Sequence, residues 1–239
     1  MKNLKKNFQR DGFFIAKKIF SKEEIQFFNK KIDKFLQKRI NIPKKNTHFV
    51  KKNILSSVHN ISNFNLVQNL QKNSKIKKIA KLILGSKPKK FGAELFAKPA
   101  KVGRPIPVHQ DNFFWCTQKG SGITIWIALN NSSKKNGGIF YFRGSHKLGL
   151  LEHEVSYVPG TSQKLKYLKS MKIFKKIYPK LSLGDCLIHS SLVVHGSQKN
   201  LSDKPRRGFT LRYISKNDPF DKFRSKAYQL LLKKSLKGK

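Results

Sequence analysis

The spacing of hydrophobic residues changes near Lys90, and this change constrains the fold of the 239-residue chain more than any other feature. Before Lys90, apolar residues recur every three or four positions, which is typical of amphipathic helices that bury one face. After it, short apolar runs alternate with clusters of Gly, Pro, Asn and Ser, which is typical of an antiparallel β-sandwich or small barrel. The runs are residues 93–97, 123–129, 139–142, 185–189, 192–195 and 209–214.

Helix signals lie at both ends of the chain. Ser21 and Glu24 form a capping box that predicts the start of one helix, and Gly85 is placed to end a second helix over 66–84. We therefore predict a single domain over 1–239, mainly β with flanking α structure. It has a helical part at 1–88, a β core at 89–215 and a closing helix within 216–239. Residues 146–182 are the longest interruption of the core and predict a functional insertion or lid.

Charge is the unusual part of the composition. The 52 Lys and Arg residues exceed the 12 Asp and Glu residues by 40, a balance that often indicates a nucleic acid or an anionic membrane as partner. The cations are mostly Lys and occur along the whole chain, whereas recognition faces favour clustered Arg with interleaved aromatics. We therefore favour a compositional bias, expect no specific nucleic acid partner, and keep a polyanion site as the alternative.

The two cysteines, Cys116 and Cys186, form no metal or redox motif. With no disulfide framework, no readable secretory signal and no apolar run long enough to span a membrane, the prediction is a cytoplasmic protein.

The strongest local feature is His109-Gln110-Asp111. In an extended strand, His109 and Asp111 would project to one side and Gln110 to the other. A His and a carboxylate two residues apart are half of the 2-His-1-carboxylate triad that binds Fe(II) and leaves coordination positions open. A buried His bonded to a nearby Asp is the commoner interpretation of this tripeptide alone.

A distant histidine would complete the triad, and three candidates follow. His195 ends an apolar run and turns into a polar loop, so it is our third ligand. His189 fits a supporting residue better than a ligand, and His146 belongs to a turn.

Arginine residues near the end of the β core are candidates for binding an anion. If Arg206 faces the interior, strand alternation predicts that Gly208, Thr210 and Arg212 do so too, and that Phe209, Leu211 and Tyr213 face outward. An Arg in such a place can hold a carboxylate bidentately, while a surface Arg is the simpler alternative.

Taken together, the motifs resemble the phytanoyl-CoA dioxygenase family, and the resemblance covers most of the chain. The order and spacing match at His-x-Asp 109–111, Phe-Phe-Trp 113–115, Trp-Ile-Ala-Leu 126–129, Asn-Gly-Gly 136–138, Gly-Ser-His-Lys 144–147, Gly-Asp 184–185, His-Gly-Ser 195–197 and Arg206. The resemblance implies a double-stranded β-helix, a jelly-roll or cupin-like barrel. It also implies an oxygenase that depends on Fe(II), 2-oxoglutarate and O₂, with ascorbate as an added candidate.

Matched residue by residue, the family pattern implies that His109, Asp111 and His195 are the iron ligands and that Arg206 pairs with the distal carboxylate of 2-oxoglutarate. It places two further residues beside the cosubstrate, Trp126 and Gln110, although a core Trp explains Trp126 nearly as well. Lys98 could also reach the cosubstrate, but a solvated lysine is the safer interpretation.

The implied function is oxidation of a small or carrier-linked organic substrate, with release of succinate and CO₂. A carboxylate at position 111 favours hydroxylation over halogenation, since halogenating relatives have a small residue there. Desaturation and cyclisation stay open, and an anionic substrate would suit the charges. The alternative function is a non-catalytic basic β-barrel that binds nucleic acid or anionic lipid.

Overall fold

Two antiparallel sheets form the β core, in a computed structural model that describes residues 2–38, 46–51, 53–85, 87–158 and 161–237. The described helices are α1 Lys2–Asp11, α2 Lys22–Lys38, α3 Asn65–Lys72, α4 Ser74–Leu84, α5 Asp111–Trp115 and α6 Lys222–Lys237. The strands are β1 Phe13–Ala16, β2 Thr47–Lys51, β3 Ile54–Val58, β4 Pro88–Lys98, β5 Ile106–His109, β6 Gly122–Ala128, β7 Ile139–Phe142, β8 His153–Val158, β9 Thr161–Leu165, β10 Lys176–Ile177, β11 Cys186–Ser190, β12 His195–Ser197 and β13 Arg206–Ser215.

The larger sheet has the order β1-β11-β6-β13-β4-β3-β2, and the smaller has the order β10-β7-β12-β5. Inner-face residues of both sheets, including Trp126 from β6 and Tyr141 from β7, pack in one buried cluster. This is the jelly-roll arrangement that the sequence predicts. None of the described helices is long and apolar enough to cross a membrane.

Helices cover the outer face of the larger sheet. Phe209, Leu211 and Tyr213 lie on this face, as alternation along β13 predicts, and they are buried in the main hydrophobic cluster with α2 and α4 residues. Phe28 of α2 meets Phe209 edge to face with ring centroids 5.2 Å apart. Each such buried side chain contributes about 1.5–3 kcal/mol, so this face anchors the helices to the sheet.

The N-terminal part differs from the prediction in two respects. Its capping box is present, because Ser21 N donates to Glu24 Oε2 at 2.7 Å and Glu24 N donates to Ser21 Oγ at 3.1 Å. However, the helix predicted over 66–84 is two helices, since the Asn73 side chain caps α4 by accepting from Lys75 N and Ile76 N. The region 1–88 also contains β1, β2 and β3, so it is not purely helical.

The insertion over 146–182 is structured where it is described. It contains the β8–β9 hairpin, the short strand β10, a 3-10 helix at Leu168–Ile173 and most of another at Ser145–Leu148. Helix α6 joins the hairpin through Tyr228, whose hydroxyl lies 3.1 Å from Ser162 Oγ of β9. The C-terminal helix and the insertion therefore meet on one side of the barrel.

Candidate metal centre and active site

Two histidines face each other across the smaller sheet. Strands β5 and β12 are antiparallel neighbours whose register pairs His109 with His195, and directly paired residues project to the same face. Each Nδ1 lies near a backbone carbonyl, 2.8 Å from Pro107 O for His109 and 3.0 Å from Val193 O for His195. A carbonyl can only accept, so each Nδ1 carries a proton, and Nε2 is the ring nitrogen left to face a metal.

Asp111 supplies the carboxylate, but not from a strand. Strand β5 ends at His109 and α5 begins at Asp111, so the prediction of one extended strand through His109 and Asp111 is wrong. The first turn of α5 still directs Asp111 Oδ1 toward both imidazoles, 3.6 Å from His109 Nε2 and 3.7 Å from His195 Nε2. One ligand atom from each of the three residues lies within 4.8 Å of the others.

The second oxygen of Asp111 is held by neighbours. Asp111 Oδ2 accepts from Thr124 Oγ1 at 2.6 Å and from His189 Nε2 at 3.1 Å. The other ring nitrogen of His189 lies 2.9 Å from the Tyr141 hydroxyl. His189 thus orients a ligand, which is the supporting position expected for it, and this chain of hydrogen bonds leaves Oδ1 for a metal.

Burial and contacts set the charges of these groups. Burial alone would raise the pKa of Asp111, but its contacts with His109 and His189 hold that pKa well below its usual range. Burial, with the nearby His109, lowers the pKa of His195 well below its usual range. An ionised carboxylate beside a neutral imidazole is the donor chemistry that Fe(II) takes from protein side chains.

Arg206 is a buried cation without an anion. Its exposed fraction is 2%, and its Nε has no hydrogen-bond partner. No carboxylate of the described residues forms an ion pair with it. Its Cζ lies 5.2 Å from the centroid of the Trp126 ring, and burial lowers the pKa of Arg206 to about 10. An unpaired buried guanidinium is costly, so this position fits one carboxylate of a dicarboxylic acid.

Lys98 is buried, so the expectation of a solvated lysine is wrong. Its exposed fraction is 3%, and its Nζ donates to Arg104 O at 2.6 Å and to Gln198 O at 2.5 Å. Lys98 is paired with Arg206 across β4 and β13. Burial, together with the charge of Arg206, lowers the pKa of Lys98 to about 6, so the amine is neutral at pH 7.

The side chain of Gln110 is held by the backbone of the insertion and of the loop before β12, which argues against its predicted role beside the cosubstrate. Its buried amide donates to Gly149 O at 2.8 Å and to Leu192 O at 2.6 Å, and its Oε1 accepts from Leu151 N at 2.8 Å. Both amide hydrogens are committed to backbone carbonyls. Gln110 therefore joins the insertion to the loop before β12, on the side away from the ligands.

Replacing Gln110 with alanine is expected to lower the free energy of unfolding by about 2–4 kcal/mol, because three partly buried backbone groups lose their partner. Urea denaturation measures this, and the exposed Gln118→Ala is the matched control, expected within about 0.5 kcal/mol of wild type. The KM for 2-oxoglutarate should change little. Unaltered stability with a raised KM would restore the cosubstrate role.

The other candidate residues from the sequence are not part of the metal cluster. Arg212 Nη1 is 3.2 Å from Glu94 Oε1, so a carboxylate of the chain itself already occupies the anion contact considered for Arg212. His146 is in a 3-10 turn, with Nε2 3.1 Å from Gln9 O, and is not among the triad. Phe113 and Phe114 are on α5.

Sequence reasoning missed Glu94, Thr124 and Tyr228. Of these three, only Glu94 could have been found from the sequence, because it is one of just 12 acidic residues and lies inside the apolar run at 93–97.

A model of the family described as phytanoyl-CoA dioxygenase (PhyH) matches residues 8–208. The chain belongs to this family. A phytanoyl-CoA dioxygenase domain-containing protein 1 homolog of Caenorhabditis briggsae is 24% identical over 270 residues, covering 91% of this chain and 92% of that protein. Phytanoyl-CoA dioxygenase of Arabidopsis thaliana is 34% identical over 122 residues, covering 50% of this chain and 42% of its own length.

A solved structure supports the fold. EctD from S. alaskensis, crystallised with 2-oxoglutarate and 5-hydroxyectoine, superposes with a TM-score of 0.78 at 19% identity, over 92% of this chain and 78% of that chain. The predicted double-stranded β-helix is thus confirmed.

As a member of the phytanoyl-CoA dioxygenase family, the protein is an Fe(II)- and 2-oxoglutarate-dependent non-haem dioxygenase, and the His-Asp-His cluster fits the iron.

Proposed function

We propose that the protein hydroxylates a C–H bond of a small or carrier-linked organic substrate, with His109, Asp111 and His195 as the iron ligands. The observation that carries this proposal is the approach of their three ligand atoms to within 4.8 Å of one another. Two imidazoles and one carboxylate are the ligand set of non-haem Fe(II) oxygenases. Asp111 fills the carboxylate position, which favours hydroxylation over halogenation.

When bound, the iron supplies the oxidation: 2-oxoglutarate and O₂ become succinate and CO₂, and one oxygen atom enters the substrate. The protein supplies position and charge. His109 and His195 are fixed by Nδ1–H bonds to backbone carbonyls, and Thr124 and His189 orient Asp111.

Arg206 and Trp126 bind the cosubstrate in this proposal. The buried guanidinium of Arg206 takes the distal carboxylate in a bidentate hydrogen bond. The ring of Trp126 packs beside it and excludes water from that ion pair. The neutral Lys98 adds no competing charge next to Arg206.

We also propose a cytoplasmic location. Both Cys116 and Cys186 are buried and unpaired, which fits a reducing compartment.

The family name does not identify the substrate. An anionic substrate would be attracted by the net charge of +40, although Lys98 and Arg212 are both engaged inside the barrel.

An oxygen-transfer assay tests the proposed reaction. The protein is incubated with Fe(II), 2-oxoglutarate, ascorbate and a metabolite extract under isotopically heavy O₂, and both succinate and labelled products are followed by mass spectrometry. We expect succinate that depends on Fe(II) and 2-oxoglutarate, with the label in a hydroxylated product. Succinate without product label would contradict hydroxylation, and metal-independent succinate would contradict the proposed ligands.

A further inference from the structure

A second polar cluster lies inside the barrel, built from Glu94, His59 and Arg212. On β4, Ala93 and Leu95 belong to the hydrophobic cluster beneath the helices, so Glu94 projects from the opposite, inner face of the sheet. Its Oε1 accepts from His59 Nδ1 at 2.7 Å and lies 3.2 Å from Arg212 Nη1. The exposed fraction of Glu94 is 8%, so this carboxylate is almost removed from solvent.

The register of the larger sheet places this cluster beside the metal centre. Arg212 of β13 pairs with Thr124 of β6, the residue whose hydroxyl donates to Asp111. Glu94 pairs with Thr210, one strand further along the same face. Neighbouring strands lie about 4.8 Å apart, so the cluster is one to two strands from the side chain that supports the iron ligand.

The hydrogen-bonding capacity of the cluster is only partly used. His59 and Arg212 both contact Oε1 of Glu94, and no described residue donates to Oε2. An ionised carboxylate has about four acceptor sites. Burial would raise the pKa of Glu94, but Arg212 and His59 together lower it, so the acceptor is charged. The Nε of Arg212 is also buried without a partner.

Aromatic side chains of α5 and α6 lie beside both the cluster and the metal ligands. The Phe114 ring is 5.6 Å from the His109 ring, and the Tyr228 ring is 5.8 Å from Phe114. The guanidinium of Arg212 lies 5.8 Å from the Trp115 ring. Burial is the largest cause of the raised pKa of Tyr228.

We propose that Glu94, positioned by His59 and Arg212, is a substrate-recognition residue that accepts a hydrogen bond from a hydroxyl or amine group of the substrate. This inference rests on the proposed function and names its substrate class. Glu94 and Arg212 together carry no net charge, so the cluster selects a hydrogen-bond donor more than a charge. An aliphatic chain in the same place would cover charged groups without giving them partners, which is unfavourable.

The test compares Glu94→Gln with wild type on three substrate pools: polyols and sugars, amines and amino acids, and fatty acyl thioesters. Succinate formation with each pool is divided by the same variant's rate without substrate. We expect a polar pool to stimulate wild type, and the first two arms tell a hydroxyl from an amine. In Glu94→Gln the substrate concentration for half-maximal stimulation should rise about tenfold to a hundredfold, the loss expected for one hydrogen bond to a charged group.

Two further variants keep the result decisive. Asp33→Asn is the matched control, because Asp33 is an exposed carboxylate of α2 that also pairs with an arginine, Arg207, on the outer face of the sheet, and it should keep the wild-type stimulation. The double variant Glu94→Gln with Arg212→Gln leaves no unpaired charge in the barrel and should lose stimulation even if the single variant folds poorly.

Three outcomes would overturn the inference: stimulation retained by both Glu94 variants, stimulation confined to the acyl thioesters, or no stimulation by either polar pool. Iron-dependent succinate formation by wild type is measured in parallel, both without substrate and with the metabolite extract. If it is present in either, failure of the Glu94 inference leaves the proposed oxygenase function in place. If it is absent in both, the proposed function has failed.

Discussion

Replacing His109 with alanine is expected to reduce iron-dependent succinate formation from 2-oxoglutarate by about 100-fold or more. Loss of a residue that only orients a metal ligand commonly costs 10–100-fold in affinity or activity, and His109 offers its own nitrogen to the metal position. Iron content after anaerobic reconstitution should fall in parallel, which separates loss of metal from loss of chemistry.

His146→Ala is the matched control for this prediction. His146 is also a histidine with a ring-to-carbonyl contact, but its partner is Gln9 O in the N-terminal helix, so iron content should not change. Wild-type succinate formation by His109→Ala, in a protein that melts normally, would exclude the proposed triad.

Replacing Arg206 with alanine is expected to raise the KM for 2-oxoglutarate by about 30-fold or more. Removing one partner of a buried charge pair costs about 2–5 kcal/mol, and 1.4 kcal/mol corresponds to tenfold in affinity. Arg207→Ala is a sharp control, since Arg207 is the next residue yet pairs on the outer face with Asp33 at 2.8 Å. Its KM should match wild type.

A cosubstrate analogue refines the Arg206 prediction. A 2-oxo acid that lacks the distal carboxylate should be used far less well than 2-oxoglutarate by wild type, because Arg206 would then remain buried and unpaired. The Arg206→Ala variant should lose most of this discrimination. Equal discrimination in both proteins would mean that another residue recognises the distal carboxylate.

The triad was predictable because chain order and residue type both constrain it. His109 and Asp111 are two residues apart, and His195 ends the apolar run 192–195, so interpreting both segments as strands brings them to one place, even though Asp111 is on α5 and β12 begins at His195. The end of β5 and the first turn of α5 bring His109 Nε2 and Asp111 Oδ1 to within 3.6 Å of each other. The prediction was therefore correct about the cluster and wrong about the local backbone.

The burial of Lys98 and Glu94 could not be predicted from the sequence. Lys98 is one of 52 cations, and only the loop carbonyls of Arg104 and Gln198 make its position inside the barrel tolerable. Glu94 depends on partners 35 positions before it and in a different strand after it. Such pairs are created by sheet register, which local spacing does not encode.

Gln110 lies between two metal ligands and also holds the insertion, so it determines how far the insertion can be changed without altering the metal site. Its side chain contacts the insertion through the backbone of Gly149 and Leu151, and its backbone N donates to His153 Nε2 of β8 at 3.1 Å. Side chains of the β8–β9 hairpin other than His153 can therefore be exchanged to accommodate a new substrate without disturbing the two ligands that flank Gln110, provided that the path of the main chain at 149–151 is kept. The insertion can diversify in sequence while the metal geometry stays constant.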